Sequence, residues 1–485
     1  MTTSPAAEYS QEFHHGQFTV SSILPFDADL LRRYDKAGPR YTSYPAAPQF
    51  QPDFTAADLR KAALLSNAGD KPRPLSVYIH VPYCFSPCFY CGCNRVITRD
   101  RSRARPYINR LKREIEMAGR LFTRDRELVQ LHFGGGTPNF LEPAELDEII
   151  ATLAEHFTFA PPASRDFSIE LDPRFVQIGD VAALAAFGFN RASLGVQDLD
   201  PEVQIAVNRE QSAEETLAVI EACRTNGFRS VNVDLIYGLP KQTLHGFSRT
   251  LDTILTTRPD RLAVYGYAHL PELFKAQRQI ESHDLPTSEQ KLALLQLAIE
   301  RLTAEGYRYI GMDHFALPED ELAQAQETGT LHRNFMGYTT HANCDLIGLG
   351  VSAISHVGNT FSQNPRDLAS WEAAIDAERL PVWRGMYLDT DDVLRSHVIQ
   401  TWMCLGRIDV HDVEEQFEID FQKYFANALS KLQPLQEDGL VNVRAHEIAA
   451  SPRGRLLLRL IAACFDRYLE RPAPAQNAPR YSRVV

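Results

Sequence analysis

Between residues 75 and 267 six short β-rich runs recur, separated by longer stretches at helical spacing. That alternation restricts the chain to parallel strands joined by helical crossovers. The runs occupy 75–81, 129–133, 167–171, 191–196, 230–236 and 262–267, and several are nearly continuous apolar stretches, as strands covered on both faces should be. Between the first two, Ile108, Leu111, Ile115 and Ala118 recur on one side of a helical wheel and Arg110, Lys112, Arg113 and Glu114 fall elsewhere, which predicts an amphipathic crossover helix. Five right-handed crossovers curl a sheet toward a barrel or part of one. The expected fold class is therefore α/β, a partial (β/α)6 TIM-like barrel, with a doubly wound open sheet as the alternative. Either fold puts its chemistry at the carboxyl ends of the strands.

The rest of the chain divides by character. Residues 1–30 read as a weakly ordered extension and 31–74 as a segment packing on the barrel, with the aromatic and proline-rich stretch RYTSYP at 40–45 extended rather than helical. The barrel with its strand extensions is expected over 75–387. In 388–485, helices at 391–405 and 413–432, short strands at 439–443 and 446–449, and a last helix at 452–469 suggest a smaller, mainly helical domain of winged-helix type. Such domains often bind DNA, but the formal net charge of -12 and the run of Glu414, Glu415, Glu418 and Asp420 oppose nucleic acid. Capping an active site is the expected role. The chain shows neither a secretory leader nor an apolar run of about 18 residues, so a cytoplasmic protein without membrane insertion is expected.

Eight cysteines are too few for a disulfide scaffold, yet four fall in CFSPCFYCGC at 84–93, directly after the first strand. Cys84, Cys88 and Cys91, spaced by three and then two residues, can hold three corners of a cubane iron-sulfur cluster and leave one iron open. An open iron suits a small molecule that must coordinate the cluster and be cleaved reductively. Zinc is the competing reading, but Cys91 and Cys93 stand too close together for comfortable tetrahedral ligation. Cys223, Cys344, Cys404 and Cys464 read as ordinary core thiols. Further along, Gly134, Gly135 and Gly136 follow the second strand, where absent side chains let a ligand approach backbone amides. Glu170 ends the third strand and Asp234 lies toward the end of the fifth; their carboxylates could accept from ribose hydroxyls or an ammonium group, and a structural ion pair or helix cap is the competing explanation. Gln197 and Arg209 add an amide and a cation.

The cysteine spacing resembles that of radical S-adenosylmethionine enzymes. From about Tyr34 to Val485 the chain resembles one of their families, the oxygen-independent coproporphyrinogen III oxidases, through RYTSYP, the fourth cysteine Cys93, FGGGTP at 133–138, IELDP at 169–173, GVQ at 195–197, VNREQ at 207–211, DLIYGLP at 234–240, GMDHF at 311–315 and YSRVV at 481–485. Ala46 departs from the threonine expected there, and Tyr90 stands where phenylalanine also occurs. The resemblance implies one 4Fe-4S cluster on Cys84, Cys88 and Cys91, and two S-adenosyl-L-methionine molecules bound by Tyr78, Tyr90, Gly135, Gly136, Thr137, Glu170, Gln197, Arg209, Asp234, Ala268 and Ile354. Catalytic residues beyond these are unknown, with Cys93 a candidate. It further implies that a 5′-deoxyadenosyl radical takes a hydrogen from propionate side chains of coproporphyrinogen III, in a monomer served by an unidentified electron donor and acceptor. Arg40, Arg209, Arg333 and Arg384 are candidate partners for the substrate carboxylates, and Tyr41 and Tyr44 could help cover the site. The alternative is a haem-binding chaperone or carrier of the same superfamily; Cys93, the 40–45 segment and the long carboxyl-terminal domain fit the enzyme.

Overall fold

The computed structural model describes residues 24–69 and 71–470; most of the expected amino-terminal extension and the YSRVV motif lie outside the described residues. All six expected strands form within two residues of their predicted bounds: β1 (Leu75–Val81), β2 (Glu127–Gly135), β3 (Asp166–Leu171), β4 (Arg191–Gln197), β5 (Ser230–Tyr237) and β6 (Arg261–Gly266). They pair in parallel in sequence order, without the reversal a doubly wound sheet requires. The crossover helix Ala104–Gly119 packs on Pro143–His156, that helix on Ile178–Ala186, and that one on Ala213–Thr225; Leu244–Leu255 packs on Ser288–Ala304. The helices thus form one outer layer, and the fold is the partial barrel.

The strands are not apolar on both faces as expected. Val77, Ile79, Leu131, Phe133, Ile169, Leu194, Val233 and Val264 are buried toward the helices, while the alternate positions Tyr78, His132, Glu170, Ser193, Asp234 and Tyr265 are only half-buried. The period of two therefore separates an apolar outer face from a polar inner one. Inward polar groups are tolerated because that face lines an interior: Glu170 sits mid-sheet, yet its side chain is 43% accessible.

Six further strands extend the sheet: β7 (Arg308–Gly311), β8 (His314–Ala316), β9 (Asp345–Leu349), β10 (Ile354–Val357), β11 (Thr360–Gln363) and β12 (Arg384–Tyr387). The order is β7-β8-β6-β5-β4-β3-β2-β1-β9-β10-β11-β12, with Thr158–Phe159 beside β2 completing a 13-stranded sheet. β9 joins β1 in parallel and the outer strands are antiparallel. Asp345 opens β9 with its carboxylate buried, paired with Arg126 at 2.6 Å, each side chain 1% accessible, and it also accepts from the Gly358 amide at 2.9 Å and the Ser66 hydroxyl.

The helix expected over 413–432 is three: Val410–Phe417, Phe421–Tyr424 and Ala426–Glu437. Glu418 takes a left-handed conformation (φ 50°) that ends the first, and Asp420 caps the second through the Lys423 amide. The helix expected at 452–469 is likewise a 3-10 turn, the short helix Leu458–Ala463 and another turn. Arg407–Asp409, Glu447–Ala450 and Val441–Val443 form a small antiparallel sheet. The 31–74 segment does not pack on the barrel throughout. Tyr34, Tyr41 and Tyr44 join Trp402, Phe421 and Phe465 in the carboxyl-terminal core, whereas Phe50 stacks on Phe361 of β11 at 5.5 Å.

Removing one partner of the Arg126–Asp345 pair strands a buried charge, which typically costs about 3–5 kcal/mol. Asp345→Ala should lower the unfolding free energy by about 3 kcal/mol or more in a denaturant titration; a midpoint and slope like the parent's would contradict this role.

Candidate active site

Backbone geometry brings the cysteine segment to the mouth of the barrel. β1 ends at Val81, and after Pro82 the pair Tyr83–Cys84 runs beside Val96–Ile97, closing 84–95 into a loop. The turn after Pro201–Ala206 holds this loop: the Phe89 amide donates to the Val207 carbonyl at 2.9 Å and Asn208 Nδ2 to the Pro87 carbonyl at 2.6 Å, with Asn208 at φ 54°. From inside the loop Arg95 donates to the carbonyls of Cys88, Cys91 and Cys93 at 3.2–3.4 Å.

Polar hydrogens converge on the sulfurs. Thr137 Oγ1 lies 3.3 Å from Cys84 Sγ, and Arg209 Nη1 and Arg174 Nη2 lie 3.5 and 3.8 Å from Cys88 Sγ. Arg209, 6% accessible, pairs with Asp172 at 3.0 Å and also donates to the Gly195 carbonyl; Arg174 pairs with Asp172 at 2.6 Å. The Cys91 thiol is drawn down to about 6 by hydrogen bonds from Cys93 and the Arg95 and Arg209 charges, while Cys93 is pushed up, first by its hydrogen bond to Cys91. Burial likewise raises Cys84, to about 11.

This donor set fits a cubane cluster. The cysteines are free thiols, and guanidinium and hydroxyl donors face the sulfurs as charge-compensating partners. Three sulfurs on three different irons need not converge on a point, and among the described residues no group of three or more His, Cys, Asp or Glu does so.

A second constellation covers the inner face. The Tyr78 ring stacks on His132 at 5.8 Å and its hydroxyl meets His80 Nδ1 at 3.1 Å; His80 Nε2 reaches the Asn94 carbonyl at 2.9 Å, beside Cys93. His132 Nε2 lies 3.3 Å from Glu170 Oε1, and the Gly135 amide donates to Glu170 Oε2 at 3.2 Å. Burial works to raise the Glu170 carboxyl, but His132 and Gly135 hold it below its ordinary range. Asp234 accepts from Ser193 at 3.1 Å and Asn232 at 2.8 Å; burial, then the Glu170 charge, lift it to about 6. The glycine run is held close to its neighbours. Its amides are used within the protein, by Glu170 for Gly135 and by the Val81 carbonyl for Gly136, and side chains there would strike His80 and Pro82, within 2.6 and 2.8 Å of an added Cβ.

Of the residues singled out in the sequence, Thr137 is bonded to Cys84, Arg209 to Cys88 and Gly135 to Glu170, while Tyr78 reaches Glu170 through His132. Tyr90 lies beside Arg209 and the cysteines, whose charges act on its hydroxyl, and its carbonyl shares Gln277 Nε2 with that of Ala268. Gln197 occupies a left-handed position (φ 69°) at a bulge where β4 pairs with β5. Ile354 stands apart at the start of β10, its backbone against Gly348, the partner of Tyr78 in β9. Arg384 is bonded to Gln363 and stacked on Trp383 at 4.5 Å. The sequence reading missed Asp172, Arg174, Arg95, His80 and His132. Asp172 and His80 each lie two residues from a residue singled out, hence on the same side of an extended chain.

Because its folded value lies above the unfolded one, Asp234 favours the folded state fully only below about pH 4, and that contribution is lost as pH rises through about 6. In cluster-free protein Asp234→Asn should gain on the order of 1–2 kcal/mol over the parent between pH 4 and pH 8, allowing for solvent screening. A pH-independent difference in unfolding free energy would show that the carboxyl is not perturbed.

Comparison with known proteins agrees with this geometry. The Radical SAM superfamily matches residues 78–254 and the HemN C-terminal domain matches 388–457. The oxygen-independent coproporphyrinogen III oxidase of Pseudomonas aeruginosa is 51% identical over 95% of this chain and 99% of its own length, and that of Escherichia coli is 46% identical over the same shares. The solved structure of coproporphyrinogen III oxidase (HemN) from Escherichia coli, described as a radical SAM enzyme, superposes with a TM-score of 0.87 at 45% identity, covering 92% of this chain and 99% of that one. Fold, cysteine loop and length-wide identity together show that this chain belongs to the oxygen-independent coproporphyrinogen III oxidase family of radical S-adenosylmethionine enzymes.

Proposed function

We propose that the protein oxidatively decarboxylates two propionate side chains of coproporphyrinogen III to vinyl groups, giving protoporphyrinogen IX in haem biosynthesis without oxygen. The observation that carries the reading is the set of three free cysteines at the end of β1, facing a polar inner sheet surface in a chain that matches this family along nearly its whole length. When bound, the cluster and S-adenosyl-L-methionine supply an electron and a 5′-deoxyadenosyl radical.

The protein's own residues bind, orient and exclude. Cys84, Cys88 and Cys91 hold the cluster, and Arg209 and Thr137 balance the charge on their sulfurs. Glu170, already oriented by His132 and Gly135, and Asp234, oriented by Asn232 and Ser193, present carboxylate oxygens to hydroxyl or ammonium donors. Tyr78, Tyr90, Gly136, Gln197, Ala268 and Ile354 complete the ligand surface, and two S-adenosyl-L-methionine molecules share it. In each round one propionate loses a hydrogen from its β-carbon, carbon dioxide leaves, and one electron passes to an acceptor. The donor and acceptor are unidentified. Among the described residues no helix is long and apolar enough to cross a membrane; a cytoplasmic monomer is part of the same proposal. The division into a barrel over 75–387 and a capping domain from 388 belongs to the same reading, supported by the separate carboxyl-terminal core.

Reconstituted anaerobically with iron, sulfide, a reductant and S-adenosyl-L-methionine, the protein should convert coproporphyrinogen III to protoporphyrinogen IX with 5′-deoxyadenosine formed. Cys84→Ser, Cys88→Ser and Cys91→Ser should each reduce product at least about 1,000-fold, since general positioning cannot replace the lost radical source. An intact cluster with stoichiometric haem binding and no vinyl product would instead identify a carrier.

A further inference from the structure

At the carboxyl end of β6 the inner face continues into a row of rings. Tyr265 lies between Asp234 and Asp313, whose charges both act on its hydroxyl. His314 of β8 stands edge-on to Tyr265 at 5.8 Å and to Tyr338 at 5.3 Å, and its Nδ1 is buried without a hydrogen-bond partner. Arg333 lies over the Tyr338 ring at 5.4 Å. The row thus leads from the Asp234 carboxylate to a guanidinium.

Four arginines gather at that end, from three parts of the chain. Arg40 pairs with Asp313 and lies 5.8 Å over Tyr265. Arg459, 5% accessible, donates to the carbonyls of Gly38 and Pro39. Arg333, 4% accessible, donates through Nη1 to the Arg40 carbonyl at 2.6 Å, and Arg455 through Nη2 to the Tyr309 carbonyl at 3.3 Å. Arg333 and Arg455 make no ion pair among the described residues, and the Nε of each is buried without a partner. A clamp on a backbone carbonyl uses one nitrogen and leaves the remaining charge uncompensated, an expensive arrangement in a closed interior. Burial accordingly depresses Arg455 and takes Arg459 down to about 10, with Arg40 adding repulsion to the latter. An incoming carboxylate accepts two parallel N–H bonds from a guanidinium and supplies the missing charge.

We propose that Arg333 and Arg455 are specificity-determining residues that bind carboxylates of the substrate's non-reacting side chains, with Tyr265, His314 and Tyr338 lying along the macrocycle. The assignment rests on the function proposed above, since it takes the ligand to be a tetrapyrrole with carboxylate arms. A macrocycle held at its far edge by these cations extends along the ring row, so that a propionate on the opposite edge reaches toward the inner face near Asp234 and Glu170.

The test uses full-length, cluster-loaded protein and two non-reacting probes, coproporphyrin III and its tetramethyl ester, with affinity read from porphyrin fluorescence. The parent should bind the acid at least about ten-fold more tightly than the ester, the scale of one charged hydrogen bond. Arg333→Met and Arg455→Met should each shrink that acid-over-ester ratio by about ten-fold, with unchanged ester affinity and an unchanged cluster EPR spectrum, and Arg333→Lys should restore part of it. An undiminished ratio in both Met variants would overturn the proposal. So would a loss of ester affinity as large as that of the acid, which marks a structural role. Parent protein that shows the ratio but forms no vinyl product would sink the proposed function and leave this assignment standing.

Discussion

Arg209 is the charge on which the site is assembled. Its guanidinium is almost wholly enclosed, and it joins three units that the chain delivers separately: Cys88 in the loop after β1, Asp172 after β3, and the Gly195 carbonyl in β4. A buried cation is costly without an anion nearby, and here Asp172 is that anion while the sulfur of Cys88 faces the same guanidinium nitrogen. The same guanidinium therefore ties the cysteine loop to the barrel. Asn208 and Val207, its neighbours, tie down the loop backbone, so a five-residue stretch distant in sequence sets where the sulfurs stand.

Around that centre the sheet contributes through its period of two. Outward residues such as Val77, Phe133 and Leu194 bury against the helices, and the forced consequence is that Tyr78, His132, Glu170, Ser193 and Asp234 share the opposite face. The polar network there is satisfied internally, Glu170 by His132 and Gly135 and Asp234 by Asn232 and Ser193, which orients the carboxylates before any ligand arrives. The carboxyl-terminal core takes Tyr41 and Tyr44 into itself. The stretch between Tyr34 and Tyr44 is thereby positioned by one domain while Arg40 reaches into the other.

Much of this was legible in the sequence, for identifiable reasons. The six parallel strands were found because runs such as 262–267 are short, apolar and set off by helical periodicity. The cysteines were found because their spacing has few other uses. β9 was not recognised as a strand, because Asp345 and Gly348 interrupt its apolar run and its meaning depends on Arg126, more than two hundred residues earlier. The break at Glu418 was hidden because a left-handed glutamate leaves no compositional trace. The polar inner face was legible in part: Tyr78, Glu170 and Asp234 were singled out, whereas His80 and His132 lie in runs that otherwise read as apolar. The glycine run was recognised, but one reason for it was not: added side chains there would meet His80 and Pro82, which are neighbours only in the folded chain. Asp172 and Arg174 belong to a pairing across β3 and the cysteine loop that no local pattern encodes.

The account turns on three cysteines holding a cluster whose fourth iron is open to a small ligand. Mössbauer spectroscopy of the protein reconstituted with iron-57 reads this directly. On adding S-adenosyl-L-methionine, one quarter of the iron signal should shift to a distinct site while three quarters stay as they were, and Cys93→Ser should behave in the same way. A spectrum indifferent to S-adenosyl-L-methionine, or a parent cluster with four equivalent thiolate-bound irons, would contradict it.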